Sequence, residues 1–152
     1  MKIEAGMSAV VTGGASGLGQ ASAQALAAVG VKVAIFDINE TLGEETANAI
    51  GGIFCCVDIT DEASVVAGFE KARAAHGQER ILVHCAMTSR RGKTLSWDKE
   101  AGAYKRTSTE DFEFGVKGIL VSSSRVASLS ALGMTCLDPL EDGERGCLTL
   151  TA

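Results

Sequence analysis

Short apolar runs alternate along this chain with longer stretches in which apolar residues recur every three or four positions. Ala9, Val10 and Val11 form a β-favouring run. A turn holding Gly13, Gly14, Gly17 and Gly19 follows, leading into an amphipathic segment with apolar positions at Leu18, Ala21, Ala25, Leu26 and Val29. Residues 31–36 form a second β run that ends in Asp37. Asn39 is placed to cap a helix running to about Ile50, where Gly51 and Gly52 end it. Residues 53–57 read as a third strand. Asp61 and Glu62 suit the first turn of the next helix, Val65, Val66, Phe69 and Ala72 form its expected inner face, and Gly77 closes it. Residues 81–86 give a fourth strand. Strands and helices alternating at this spacing predict an α/β fold: one domain over residues 1–152, built on a parallel, doubly wound sheet with right-handed crossovers.

Strand, glycine turn and helix in direct succession form the opening of a dinucleotide-binding βαβ unit. Glycines let the chain turn tightly and bring its backbone within hydrogen-bonding reach of a pyrophosphate, and the helix N-terminus then faces that anion. A glycine-rich turn also serves as an ordinary tight connection, so the turn alone leaves both readings open. Asp37 adds context. It lies eighteen positions after Gly19, near the roughly 20-residue spacing at which an acidic side chain meets the adenosine ribose hydroxyls. Its other reading is a solvated strand-end residue that helps to start the next helix. A ribose 2′-phosphate would be repelled by Asp37, and Ser16 and Ile38 offer no cation to it, so NAD is expected over NADP.

The composition is that of a globular α/β protein, with 46% hydrophobic and 22% charged residues. Net charge is −5 and no basic run is long enough to track a phosphate backbone, so nucleic acid is not an expected partner. Arg90, Arg91 and Lys93 read as a solvated loop. The first residues contain no signal-peptide h-region and no apolar run reaches bilayer length, so a cytoplasmic protein without membrane association is expected. Cys55, Cys56, Cys85, Cys136 and Cys147 have neither metal-ligand spacing nor the pattern of a disulfide framework, and are expected to be buried reduced thiols. His76 and His84 lie outside any metal-binding pattern, so no metal is expected.

TGGASGLG at residues 12–19 resembles the TGxxxGxG turn of the short-chain dehydrogenases/reductases, and Cys56-Val57-Asp58-Ile59-Thr60 resembles their third-strand DVT segment. More narrowly, residues 77–113 resemble the type II 3-hydroxyacyl-CoA dehydrogenases, which carry a similar insertion after the fourth strand, and LEDGERG at 140–146 resembles their approach to the fifth. The resemblance covers essentially the whole chain. It implies a Rossmann-like sheet of strand order 3-2-1-4-5, with the cofactor cleft at the switch between strands one and four. It also implies NAD held by Gly13, Ser16, Gly17, Leu18, Gly19, Asp37, Asp58, Ile59, Cys85 and Ala86. In that arrangement the Asp58 carboxylate accepts from the adenine amine and Ile59 lies against the ring. Asp58 has a second reading as a helix-entry residue.

The later segments depart from the family. His84-Cys85-Ala86-Met87 stands where its members usually have Asn-x-Ala-Gly. Met87 puts a flexible side chain where the backbone should pass close to the cofactor, and it restricts the backbone to negative φ. His84 can be read as a catalytic base or as a packed strand-end residue, and packing is the expected role. Residues 112–134 resemble the family's long interface helix; a helix is expected from about Val116 to Met134, with a register left open by Gly115, Gly118 and the serines at 122–124. Lys117 falls where the family has an active-site asparagine; it reads as a solvent-facing helix residue or as a substitute donor, the former being expected.

The chain ends where the family's catalytic serine would come, and Tyr-x-x-x-Lys is absent: Tyr104 has no lysine four residues later. No catalytic residue is therefore expected in this chain, nor activity of the chain alone. Strand five should be an open edge and the last helix should expose an apolar face, which points to homo-oligomers or pairing with a full-length relative. Three functional readings follow. One is the NAD-binding half of an oxidoreductase that interconverts 3-hydroxyacyl and 3-oxoacyl groups, another a non-catalytic NAD-binding module, and the third an oligomer-interaction remnant.

Overall fold

The computed structural model describes residues 2–88, 94–140, 143 and 145–150. The Arg90, Arg91 and Lys93 cluster and parts of the 140–146 segment lie outside the described residues. The strands are β1 (Ser8–Thr12), β2 (Lys32–Asp37), β3 (Ile53–Cys56), β4 (Ile81–His84), β5 (Leu95–Asp98), β6 (Ala103–Arg106) and β7 (Cys147–Leu150). Five of them form a parallel, doubly wound sheet, as the alternation of elements predicts, in the order β3-β2-β1-β4-β7 that the family resemblance implies. β5 and β6 pair as a separate antiparallel hairpin inside the inserted segment, with Trp97 edge-on to Tyr104 at 5.1 Å.

The helices are α1 (Gly17–Ala28), α2 (Glu40–Ile50), α3 (Glu62–His76), α4 (Thr109–Val116) and α5 (Ser122–Met134), the last two joined through a π-helical turn at Lys117–Val121. Successive side chains on a strand point to opposite faces, and the sheet sorts its apolar residues that way. Val10, Ala34, Phe36 and Leu82 face α3 and α5, where they meet Val65, Phe69, Ala72, Val126 and Met134. Ala9, Val11, Val33, Ile35 and Ile81 face α1 and α2 and meet Ala23, Leu26 and Ala47. Phe36 and Phe69 meet edge to face at 5.2 Å, and each such buried side chain contributes about 1.5–3 kcal/mol. With both faces covered, the strand ends carry the irregular backbone, and the loops after β1 to β4 gather at one edge.

The local signals at α2 and α3 are read out directly. The Asn39 side chain accepts from Leu42 N, Gly51 ends α2 in the left-handed region, and Asp61 caps α3 by accepting from Ala63 N. Three expectations are corrected. The buried positions of α1 are Gly19, Ala23 and Leu26, and Leu18 is 70% exposed. Alanine recurs all round this helix, so periodicity does not fix its rotation; the packing of Gly19 on the glycine turn does. On α3, Gly68 takes the inner position expected of Val66, because a Cβ there would lie 2.5 Å from the Val57 methyl, and Val66 turns outward. The helical segment expected from Val116 begins at Thr109, where Ser108 Oγ accepts from Asp111 N and donates to its carboxylate.

The cysteines differ from expectation as well: Cys55 is buried, but Cys56, Cys136 and Cys147 are exposed and Cys85 is half-buried. The parity of β3 puts Cys55 inward and Cys56 outward. Within the described sheet β7 pairs only with β4, and Phe112, Leu120, Val121 and Leu132 are exposed along α4 to α5. Among the described residues no helix is long and apolar enough to cross a membrane.

Candidate functional site

The loops after β1, β2, β3 and β4 enclose a cleft of about 610 Å³. Gly13, Ser16, Gly17, Leu18, Gly19, Asp37, Asp58, Ile59, Cys85 and Ala86 all line it. Thr60, Met87, Thr88 and Phe114 line it too. Phe114 arrives on α4, whose early start at Ser108 was readable in the Ser-x-x-Asp pattern of residues 108–111.

The glycine turn is pinned from several sides. Gly13 N donates to the Phe36 carbonyl at 2.8 Å, with Gly13 at a φ of +66° that favours glycine. Ala15 is held at both backbone atoms: its N–H donates to Asp37 Oδ2 at 3.1 Å, and its carbonyl accepts from the buried Thr46 hydroxyl at 3.4 Å. Gly19 packs so closely on the turn that a Cβ would sit 2.1 Å from the Gly13 carbonyl oxygen. Thr46 was missed from the sequence, since its role depends on α2 packing beside α1. Asp37 Oδ1 accepts from Asn39 N at 3.0 Å, so one carboxylate both braces the turn and leads into α2. Each of its oxygens keeps a further lone-pair site for a ligand hydroxyl.

The N-terminus of α1 differs from those of α2, α3 and α4. Each of these three has a side-chain cap and an acidic residue in its first turn. Ser16 makes no side-chain cap bond on α1 and the first turn holds no acid, while Ser16, Gly17, Leu18 and Gly19 all line the cleft. The first backbone N–H groups and the positive end of the helix dipole are thus left for an anion in the cleft.

Asp58 Oδ1 accepts from the Thr60 N–H at 2.8 Å and the Thr60 hydroxyl at 2.7 Å, a turn that feeds the chain toward α3. The helix-entry reading of Asp58 is therefore present in the structure, and these bonds use only one of its two oxygens. Ile59 is buried at the cleft margin. At the end of β4, His84 is buried and lies 2.7 Å through Nδ1 from the Thr12 hydroxyl; burial pushes its pKa down. It packs at the strand end as expected. Met87 is half-exposed at the cleft wall with negative φ. Lys117 is exposed on the π-helical turn, and Tyr104 is 71% exposed on β6; neither lines the cleft. Among the described residues no three His, Cys, Asp or Glu side chains converge to hold a metal ion.

Comparison with known proteins places these features in context. The short chain dehydrogenase family profile matches residues 7–127. The chain is 37% identical over 145 residues to 3-hydroxyacyl-CoA dehydrogenase type-2 of Drosophila melanogaster, covering 94% of this chain and 55% of that protein. It is 32% identical over 149 residues to the Homo sapiens protein of the same name, covering 97% and 56% respectively. Its fold superposes on the crystal structure of 3-hydroxyacyl-CoA dehydrogenase type-2 from Mycobacterium avium with a TM-score of 0.85 at 32% identity, covering all of this chain and 59% of that one. The chain thus spans little more than half the length of these relatives.

Proposed function

The chain belongs to the short-chain dehydrogenase family, and on that premise we propose that its cleft binds NAD and that these 152 residues are the nucleotide-binding half of an oxidoreductase similar to the 3-hydroxyacyl-CoA dehydrogenases. The observation that carries the reading is the uncapped N-terminus of α1, which opens into the same cleft as the Asp37 carboxylate. In this reading Ser16, Gly17, Leu18 and Gly19 hold the pyrophosphate through backbone N–H groups, with Gly13 shaping the turn behind them. Asp37 accepts from the adenosine ribose hydroxyls, and its charge disfavours a 2′-phosphate, so NAD is the preferred form. The second oxygen of Asp58 accepts from the adenine amine, Ile59 lies against the ring, and Cys85 and Ala86 form the opposite wall. The geometry fits the group: Gly17 has open space above its Cα, where backbone N–H groups meet the cleft.

When bound, NAD supplies the hydride acceptor for oxidation of a hydroxyl group. That oxidation also needs a base placed to take the hydroxyl proton, and among the described residues no tyrosine lines the cleft. This supports binding without turnover by the chain alone, and the exposed apolar residues of α4 to α5 support assembly with another chain as the setting for activity.

NADH fluorescence together with a hydride-transfer assay on a 3-hydroxyacyl-CoA tests the proposal. Saturable fluorescence enhancement without NAD reduction is the expected result. Reduction of NAD by the chain alone would overturn the binding-only reading, and absence of enhancement with folded protein would overturn the cofactor assignment.

A further inference from the structure

The turn from β3 into α3 is held mostly by its own residues. Asp58 N donates to the Ser64 hydroxyl at 3.0 Å, Asp61 N to the Asp58 carbonyl at 3.1 Å, and Thr60 N to Asp58 Oδ1 at 2.8 Å. The Ile59 carbonyl is held from another element: it accepts from Arg125 Nη1 on α5 at 3.2 Å. Val126 is fully buried in the same apolar cluster as Ile59 and Val65, which fixes the rotation of α5 and so aims the neighbouring Arg125 at the turn.

The Ile59 carbonyl and the Thr60 N–H belong to one peptide unit, which is planar and trans. The two groups point to opposite sides of a rigid plane and cannot turn independently. One side ends on the Arg125 guanidinium, and the other ends on the Asp58 carboxylate that lines the cleft. A rotation that freed the carbonyl would carry the Thr60 N–H off Asp58 Oδ1. The Thr60 hydroxyl also donates to Oδ1, at 2.7 Å, but on a rotatable side chain it follows the carboxylate rather than directing it. Arg125 also faces Glu62: its Nε lies 3.5 Å from Glu62 Oε2, with the Arg125 side chain 17% exposed and that of Glu62 71% exposed. An ion pair so open to water contributes little, so the charge-assisted bond to the carbonyl is the contact through which Arg125 acts.

We propose that Arg125 is a positioning residue for the adenine end of the nucleotide: through the peptide between Ile59 and Thr60 it sets the direction of the Asp58 carboxylate and keeps Ile59 against the ring, and so governs the choice of base. This rests on the reading of the cleft as an NAD site. Arg125 does not itself line the cleft.

The test titrates the whole chain with NAD and with nicotinamide hypoxanthine dinucleotide, whose base carries a 6-oxo group where adenine has its amine. A carboxylate accepts from the amine and is repelled by the oxo group, so the wild type is expected to bind NAD at least about tenfold more tightly. Arg125→Met keeps much of the bulk and removes the donors; NAD affinity is expected to fall about tenfold and affinity for the hypoxanthine analogue by no more than about threefold, so the preference narrows. Arg125→Lys keeps a charged donor and is expected to retain the wild-type preference to within about threefold. Glu62→Gln removes the ion pair alone and should change neither affinity by more than about twofold. Guanidinium ¹⁵N spectra of the wild type need no variant to fold: restricted rotation of the Arg125 Nη groups is expected in the NAD complex. An unchanged preference in Arg125→Met, a Glu62→Gln variant that reproduces its loss, a wild type that binds both nucleotides equally, or a freely rotating Arg125 in the NAD complex would overturn the positioning role while leaving the cofactor assignment standing. Wild-type protein that binds no NAD would overturn the cofactor assignment and this proposal together.

Discussion

Gly19→Ala sets two physical rules against each other. Gly19 is the third residue of α1, and helix propensity alone says that alanine there stabilises by about 1 kcal/mol. The structure gives the opposite sign. A Cβ would lie 2.1 Å from the Gly13 carbonyl oxygen and 2.6 Å from its carbonyl carbon, both backbone atoms held by the Gly13 N–H bond to Phe36. Restoring ordinary contact needs a displacement of about 1 Å in the glycine turn or in α1. Overpacking of this kind costs about 1–3 kcal/mol, and nothing flexible stands in the way to absorb it. Set against the propensity gain, the expected net loss is up to about 2 kcal/mol, which in a chain of this size lowers the melting temperature by up to about 8 °C. NAD affinity should fall more steeply, by at least about tenfold, because the moved backbone is the surface proposed to meet the pyrophosphate. Calorimetric melting and NAD titration of the variant measure both. A variant that melts at or above the wild-type temperature and binds NAD equally well would refute the close-approach argument.

Other perturbations probe separate parts of the structure. Glu79 is 1% exposed and accepts from Arg73 Nε and Nη2 at 3.0 and 2.9 Å and from the Ser130 hydroxyl at 2.9 Å, tying α3 to α5. Glu79→Ala should cost about 2–3 kcal/mol in urea unfolding, and a loss under about 0.5 kcal/mol would show that the network contributes little. Desolvation lowers the pKa of both His76 and His84. The unfolded chain then takes up protons before the folded one, so their contribution is fully present above about pH 6.5 and is lost as pH falls below it. Melting temperatures between pH 7 and 5 should drop less steeply in His84→Asn than in wild type; equal slopes would contradict the assignment. Asp37→Ala removes the acceptor for the Ala15 and Asn39 N–H groups and, in the proposed complex, for the ribose hydroxyls, and should weaken NAD binding about 10- to 100-fold while narrowing the preference over NADP. Parallel titrations with both nucleotides would expose an unchanged preference.

The parts of the fold set by local chemistry were legible in the sequence. Asn39 and Gly51 bound α2, Asp61 opens α3, and the glycine turn with Asp37 marks the cleft, because each acts within a few residues of itself. The rotation of α1 was not legible: its alanines present nearly the same surface on every side, and the deciding contact is the approach of Gly19 to Gly13. The hairpin of β5 and β6 was read only as an inserted loop, although Trp97 and Tyr104 pair across it and Gly102 turns it at a φ of +62°. The place of Thr88 and Phe114 in the cleft was not legible in the sequence, since both are set by the docking of α4 and the π-helical turn on the strand-four loop. Gly118, which looked like a helix defect, is what allows that docking.

The central claim is that the cleft at the ends of β1 to β4 is a working NAD site, with Met87 in its wall. Calorimetric titration of the purified chain with NAD and, in parallel, NADP tests it most directly. The account predicts saturable binding of one NAD per chain, with NADP bound at least about tenfold more weakly because of Asp37. A folded chain that takes up neither nucleotide, or that prefers NADP, would contradict it.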